Sequence, residues 1–273
     1  HACAKHFAVH SGPEWNRHSF NVKDINPRDL YETYLPAFEA LVKEGNVQEV
    51  MCAYNRFEDE PCCGSNQLLT QILRDTWGFK GLVVSDCNAI RDFYVENAHN
   101  THPDAATASA SAVRSGTDVE CGSSYQSLME AVKKGYISED DINVSVRRLL
   151  MARFRLGEMD QNELVSWTKI PYSVVGSSEH DRMTLEIARK SMTLLLNKDN
   201  ILPLNSEGLT IAVMGPNAND SVMQWGNYNG TPPRTITILE GIRSVLGKDN
   251  RLIYEQGCGL VENTLIESAF NQC

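Results

Sequence analysis

The short segment GLVVSDC, at residues 81–87, is compatible with few folds. Its first residues are apolar at successive positions instead of at alternate ones. A strand that is apolar on both faces is typical of a parallel sheet covered by helices on each side. Parallel strands need long crossover connections, which are usually helices. The segment therefore predicts an α/β fold, provided that strands and helices alternate along the chain.

Strand-like runs and helical patterns do alternate up to about residue 156. Four apolar runs are each followed by a segment with helical spacing, and Gly45 and Gly78 end two of those helices. The predicted strands are 2–9, 47–54, 81–87 and 117–121, and the predicted helices between and after them are 26–44, 65–77, 104–114 and 123–134. Four consecutive βα units predict a doubly wound sheet or part of a (β/α)8 barrel. A longer helix with one apolar stripe begins at its cap Ser138 and ends at Gly157.

A change of composition divides the chain into two predicted domains. Residues 158–178 resemble a loop, with Pro171, Gly176 and several serines. We therefore predict domains at 1–157 and 179–273, joined by a linker at 158–178. The second domain shows a new α/β pattern, which consists of helix 179–197, strand 209–214, helix 238–246, strand 251–254 and a final helix over 262–273.

Charge and apolar content exclude two classes of partner. The chain has 25 Lys and Arg against 35 Asp and Glu, a formal charge of -10, which would repel the phosphate backbone of a nucleic acid. No apolar run approaches the roughly 20 residues of a membrane span.

Eight cysteines without a C-x-x-C pair favour partial disulfide bonding in a periplasmic or secreted protein. The alternative is that most of them are small buried apolar residues.

Polar residues stand at the predicted carboxyl ends of the strands, where ligands of parallel sheets bind. Asp86 follows the apolar run GLVV, Lys5 and His6 lie in the first strand, and Tyr54 ends the second. An ionised carboxylate is costly to bury unless cations or donors surround it, and Lys5 and His6 could fill that role if the strands share one sheet. Taken alone, Asp86 could equally cap the helix that follows it.

The order of these motifs resembles that of glycoside hydrolase family 3. The resemblance is carried by AKHFA, VMCAYN and GLVVSDC, and it continues through GTDVECG, SVRRLLMARFRLG, MTLLLNKDNILPL and IAVMGPNA. It implies the C-terminal part of a (β/α)8 barrel followed by the start of a second α/β sandwich domain. It also implies that Asp86 is the nucleophile, that Lys5 and His6 bind sugar hydroxyls, and that Tyr54 lies against the nucleophile. No metal and no cofactor are implied.

The implied activity is that of a retaining, exo-acting β-glycosidase. Retaining hydrolysis needs a second carboxyl group about 5 Å from the nucleophile, as general acid and base. In the family this group is a Glu of the second domain, and Glu240, Glu255 and Glu262 do not stand in the motif for that role. We therefore expect the chain to be a fragment at both ends, lacking this Glu, with little activity of its own.

The sugar is suggested by finer features of the resemblance. SDC, DVECG and WGNYNGTPPRTIT most resemble the β-xylosidase branch, which acts on xylo-oligosaccharides in xylan breakdown; a β-glucosidase is the alternative. Our hypothesis is that a Cys87–Cys121 disulfide fills the space that the hydroxymethyl group of a hexose would need. Two unlinked thiols are the alternative. Glu14 or Arg17 could reach a substrate hydroxyl, whereas His10 and His18 are interpreted as rim or packing residues.

Two readings from other classes stay open at this point. Lys5 could form a Schiff base in a barrel lyase or aldolase. Alternatively, the chain could be a non-catalytic carbohydrate-binding remnant. The seven histidines show no H-E-x-x-H spacing for a metal. The sequence predicts an oligosaccharide as partner and leaves the oligomeric state undetermined.

Overall fold

The computed structural model describes residues 1–205 and 207–261. The helix predicted over 262–273 lies outside the described residues. The chain divides into two compact units, 1–169 and 170–273, and the boundary lies within the segment that the sequence predicts as a linker. Each unit is mixed α/β. Within the described ranges, no helix combines the length and apolar character needed to cross a bilayer.

The first unit alternates strands and helices as the sequence predicts. Its strands are β1 (Cys3–Phe7), β2 (Asn21–Val22), β3 (Glu49–Cys52), β4 (Arg56–Phe57), β5 (Glu60–Pro61) and β6 (Leu82–Ser85). Its α-helices are α1 (Pro27–Asp29), α2 (Pro36–Lys43), α3 (Ala105–Ser115), α4 (Leu128–Lys133) and α5 (Glu139–Arg155), with π-helical segments at Leu30–Tyr34 and Gln67–Thr76. Pro36 begins α2 after the first π-helical segment instead of lying inside one continuous helix.

A parallel sheet in the order β1-β3-β6 forms the centre of this unit. Val50 of β3 pairs with Ala4 on one side and with Val83 on the other. Phe7, Val50 and Val83 are fully buried in one core that also includes Leu69 and Leu73 of the second π-helical segment. The predicted parallel sheet is confirmed, since β1 and β6 both pair with β3 in parallel. The apolar strand β6 is buried at three of its four residues, as expected for a covered parallel strand.

The fourth predicted strand, 117–121, is wrong as a full strand. Its pairing with β6 is reduced to a single bridge between Val84 and Val119. The Val83 N–H donates to the Asp118 carboxylate at 2.9 Å, and the Thr117 carbonyl accepts the Tyr125 hydroxyl at 2.7 Å. The Val83 N–H and the Thr117 carbonyl, which a longer ladder would pair with backbone groups, therefore bond to side chains instead.

Caps fix two of the helices of this unit. Asp104 and Thr107 form a capping box at the start of α3, and Gly116 ends α3 with φ 109°, in the left-handed region that favours glycine. Ser138 and Asp141 form the same motif on α5, which confirms the predicted cap. The predicted apolar stripe of α5 is only partly covered, since Val146, Leu150 and Phe154 are among the exposed large apolar residues.

The second unit contains a smaller α/β arrangement. Its elements are α6 (Ser178–Ser191), β7 (Thr210–Met214), α7 (Ile238–Val245) and β8 (Arg251–Glu255). Strands β7 and β8 are parallel, with Ala212 opposite Ile253. Helix α6 ends earlier than the predicted residue 197, because the backbone is already extended at Met192.

Candidate active site

Asp86 is the first residue beyond β6, and its side chain is only 10% exposed. Its backbone N–H donates to the Cys52 carbonyl at 3.2 Å, which continues the pairing with the neighbouring strand by one residue. Its Oδ1 accepts the Cys87 N–H at 2.8 Å. The carboxylate is therefore held at the carboxyl edge of the sheet, beside the ends of β1 and β3.

His6 of β1 contacts this carboxylate from the side. Its Nε2 lies 3.4 Å from Asp86 Oδ2. Burial lowers the pKa of His6, against the opposing effect of the Asp86 charge. The ring is therefore mainly neutral at neutral pH, and its Nε2–H can donate to the carboxylate or to a sugar hydroxyl. Lys5 is exposed, and its positive charge also disfavours protonation of His6.

Tyr54 completes the group of predicted residues around Asp86. Its hydroxyl donates to the Cys87 carbonyl at 2.8 Å. Burial, together with the charge of Asp86, raises the pKa of Tyr54 to about 12. The phenol therefore stays protonated and remains a hydrogen-bond donor over the physiological range of pH.

The Cys87–Cys121 disulfide lies directly beside the carboxylate. The two Cα atoms are 4.4 Å apart, so the predicted pairing is confirmed. Its Cys87 peptide groups contact both Asp86 and Tyr54, as described above. A second disulfide, Cys52–Cys63, links the end of β3 to the turn that follows β5.

Arg17 and Glu14 lie on the loop after β1 and form an ion pair, with Nη1 2.7 Å from Oε1. The Arg17 Cζ is 5.0 Å from the centroid of the Tyr54 ring, which brings the guanidinium to the site. The Glu14 side chain is 78% exposed. Of these two candidates, Arg17 therefore lies closer to the group around Asp86, and Glu14 lies at its rim.

Three residues around Tyr54 were not predicted as site residues. The His18 ring lies 4.5 Å from the Tyr54 ring, His18 Nδ1 is 2.7 Å from Asp92 Oδ2, and His99 Nε2 is 2.6 Å from the Tyr54 carbonyl. No periodicity marks them, because they stand in loops. The only sequence signals are that His18 follows Arg17 directly and that Asp92 follows Asp86 by six residues.

Asp118 and Glu120, the two acidic residues of segment 117–121, have structural roles. The Asp118 carboxylate is fully buried and bonded to Arg74 and Arg148, at 2.7 and 2.8 Å. Glu120 accepts the N–H groups of Ser124 and Tyr125. Their oxygen atoms are thus occupied by the fold. In the second unit, Glu240 belongs to the capping box of α7.

Comparison with known proteins identifies the family of this chain. The model described as Glycosyl hydrolase family 3 N terminal domain matches residues 1–152, and the one described as Glycosyl hydrolase family 3 C-terminal domain matches residues 192–271. The chain belongs to glycoside hydrolase family 3. The two matched domains therefore identify the same family that the sequence motifs resemble.

Similar family 3 proteins include several named as xylosidases. A xylan 1,4-beta-xylosidase of Xylanibacter ruminicola is 53% identical over 268 residues, covering 97% of this chain and 30% of the relative. An exo-1,4-beta-xylosidase, xlnD, of Aspergillus niger is 35% identical over 249 residues, covering 86% of this chain and 31% of the relative. The chain thus spans about a third of the length of these relatives.

Solved family 3 structures have the same fold. A GH3 exo-beta-xylosidase (XlnD), solved in complex with a xylobiose aziridine activity-based probe, matches with a TM-score of 0.85 and 31% identity, over 98% of this chain and 34% of that one. A β-glucosidase from intestinal bacteria, involved in saponin metabolism, matches with a TM-score of 0.79 and 32% identity, over 95% of this chain and 35% of that one.

Proposed function

We propose that this chain carries the nucleophile of a retaining, exo-acting β-glycosidase that removes terminal sugars from oligosaccharides. The observation that carries the proposal is the nearly buried Asp86 carboxylate, held by the Cys87 N–H and His6 at the carboxyl edge of a parallel sheet. We further propose that the three parallel strands belong to a (β/α)8 barrel. Residues 1–157 would be its C-terminal part, and 179–273 the beginning of an α/β sandwich domain.

The proposed chemistry begins with attack by Asp86. One carboxylate oxygen forms an ester bond to the anomeric carbon, while the bond from that carbon to the leaving-group oxygen breaks and its electron pair leaves with that oxygen. Water then hydrolyses the ester. Lys5 and His6 are proposed to bind sugar hydroxyls, and Arg17 can donate to another because its fork has five N–H groups. Protonation of an ordinary leaving group requires a second carboxyl group, to which we assign no residue.

We propose a β-D-xylosidase acting on xylo-oligosaccharides, with a β-glucosidase as the second candidate. The similarity to proteins named as xylosidases and the disulfide beside Asp86 favour xylose. In this hypothesis Cys87 and Cys121 fill the space of a hexose hydroxymethyl group. A difference of this size contributes about 1–3 kcal/mol, which gives preference without absolute rejection. The similarity to a solved β-glucosidase keeps glucose as the alternative.

Covalent labelling tests the nucleophile without an acid catalyst. A 2-deoxy-2-fluoro-β-xyloside with a dinitrophenolate leaving group forms the ester but hydrolyses it slowly. We expect the chain to gain one fluoroxylosyl group, mapped by mass spectrometry of peptides to Asp86. Asp86→Asn should abolish labelling, and Asp104→Asn, on the cap of α3, should not. An unlabelled parent chain would favour a binding remnant, and borohydride trapping of a carbonyl substrate on Lys5 would favour the lyase.

The disulfide hypothesis is tested by comparing two sugars. We expect the parent to react faster with the fluoroxyloside than with the matching fluoroglucoside. The double variant Cys87→Ser/Cys121→Ser should reduce this ratio by about tenfold or more. Cys52→Ser/Cys63→Ser, which removes the other disulfide, is the matched control and should preserve the ratio. Equal ratios in all three proteins would contradict the steric role.

We also propose a periplasmic or secreted location. Disulfides persist in oxidising compartments and are rare in the cytosol, and the first unit holds two of them. Fractionation of the producing cells tests this directly. Recovery of the protein in the cytosol with reduced cysteines would contradict the proposal.

A further inference from the structure

Asp92 is a nearly buried acid that the proposed chemistry does not use. It lies in the short turn Arg91–Phe93 after the nucleophile, and the residue is 6% exposed. Its Oδ2 is 2.7 Å from Nδ1 of His18, on the loop after β1. Burial raises the pKa of Asp92, while the hydrogen bond with His18 opposes that effect. A carboxyl group in such a place needs a partner, and His18 supplies it.

The hydrogen bonds around His18 have a defined direction. Arg17 Nε, which always carries a hydrogen, donates to His18 Nε2 at 3.2 Å. His18 Nε2 is therefore the acceptor, so in the neutral ring Nδ1 carries the hydrogen and donates to Asp92. The result is an ordered chain in which Asp92 orients His18 and His18 orients Arg17. The far end of the Arg17 side chain pairs with Glu14.

This chain of hydrogen bonds converges on Tyr54. The ring of His18 meets the Tyr54 ring edge-on at 4.5 Å, and the Arg17 Cζ lies 5.0 Å from its centroid. The main chain of Asp92 contributes as well, because its carbonyl accepts the His99 N–H at 2.9 Å and the His99 ring binds the Tyr54 carbonyl. Asp92 is therefore linked to Tyr54 through both histidines, and the Tyr54 hydroxyl donates to the carbonyl of Cys87, the residue whose N–H binds Asp86.

We infer that Asp92 and His18 are positioning residues, which hold the Arg17 guanidinium against Tyr54 so that it meets the sugar bound at Asp86. Neither residue touches the sugar in this scheme, and both act through Arg17. The inference rests on the proposed glycosidase function and extends it to residues outside the predicted site. Its main consequence is that the effects of Asp92 and His18 on sugar binding depend on the presence of Arg17.

A double-mutant cycle tests this dependence. The rate of labelling by the activated fluoroxyloside is measured against its concentration, which separates the half-saturation concentration from the limiting rate. We expect Asp92→Ala and His18→Phe each to raise the half-saturation concentration about tenfold with little change in the limiting rate. In an Arg17→Ala background the same substitutions should change it less than about twofold. His18→Phe keeps an aromatic ring beside Tyr54 and removes the hydrogen-bonding nitrogen atoms.

Two further variants separate positioning from folding. Asp92→Asn retains an oxygen that can accept the His18 N–H, so it should recover most of the binding lost in Asp92→Ala. If Asp92→Ala does not fold, His18→Phe carries the cycle with Arg17→Ala. His102→Ala changes another histidine of the same segment, packed on Phe93, and should bind as the parent does. Parent-like binding of Asp92→Ala and His18→Phe, or full additivity of their effects with that of Arg17→Ala, would overturn the inference. An unlabelled parent would instead defeat the proposed function, and the inference with it.

Discussion

His99 shows how a single buried residue can depend on one protonation state. Its Nε2–H donates to the Tyr54 carbonyl, and its Nδ1 is buried without a hydrogen-bond partner among the described residues. Burial lowers the pKa of His99 to about 4. A proton on Nδ1 would place an N–H group where no acceptor meets it, so the neutral ring is the form that fits the fold.

We expect His99 to make the first unit sensitive to acid. The unfolded chain binds this proton more readily, so the contribution of neutral His99 to stability is present above pH 6.5 and is lost as the pH falls toward 4. The loss is about 3 kcal/mol from a shift of this size. His99→Gln retains a donor but does not titrate. The difference in unfolding free energy between parent and variant, from guanidinium denaturation, should therefore fall by this amount between pH 7 and pH 4.

The exposed histidine of α6 provides the control for this measurement. His180→Gln replaces a side chain in contact with solvent, and its difference from the parent should stay constant over the same pH range. A constant difference for His99→Gln as well would show that burial of this ring does not control its protonation.

At the scale of elements, Asp118 holds three segments together. Its carboxylate accepts from Arg74 of the second π-helical segment, from Arg148 of α5 and from the Val83 N–H of β6. The carboxylate is fully buried, and the Arg74 side chain is 9% exposed. Such an arrangement stabilises a fold only while it is complete, because each charge has lost its water.

Asp118→Asn should therefore be strongly destabilising. Two guanidinium groups would keep their charge beside a neutral amide, at a cost of about 3–5 kcal/mol in the free energy of unfolding. Glu39→Gln breaks the exposed Glu39–Lys43 pair of α2 in the same unit and should match the parent within error. Denaturation in guanidinium measures both variants. Equal destabilisation by Asp118→Asn and Glu39→Gln would contradict a special role for the buried Asp118 carboxylate and its two arginines.

At the scale of the whole molecule, the described part of the second unit exposes a large apolar surface. Leu194, Leu195 and Leu196 are consecutive and 65%, 91% and 77% exposed. Met192, Ile201, Leu202 and Leu204 nearby are also among the exposed large apolar residues. Apolar surface of this extent is typical of a region that contacts other protein.

We expect the 273-residue polypeptide to associate with itself as its concentration rises. Light scattering should show a mean mass above that of one chain, since association removes the apolar side chains from water. The triple variant Leu194→Ser/Leu195→Ser/Leu196→Ser should shift association to higher concentration. Lys198→Ser, which alters an adjacent exposed polar residue, should not. A monomeric parent at high concentration would contradict this expectation.

The sequence by itself determined the order of elements and the centre of the candidate site. Apolar runs, glycines and capping residues act within a few positions, so they predicted β1, β3 and β6 and the start of α5. Parallel strands carry their carboxyl ends to one edge, which is why His6, Tyr54 and Asp86 could be expected to meet. The family resemblance added the Cys87–Cys121 pairing, which periodicity and spacing alone do not give.

Only the tertiary structure decided the contacts that depend on the paths of loops. It selected Cys63 over its neighbour Cys62 for the second disulfide, and it buried Asp118 between two arginines instead of leaving it at the edge of the sheet. It also brought Asp92 to His18, across 74 positions of sequence. No local pattern encodes these pairs, because each partner's position is fixed by packing between segments that are distant in the sequence.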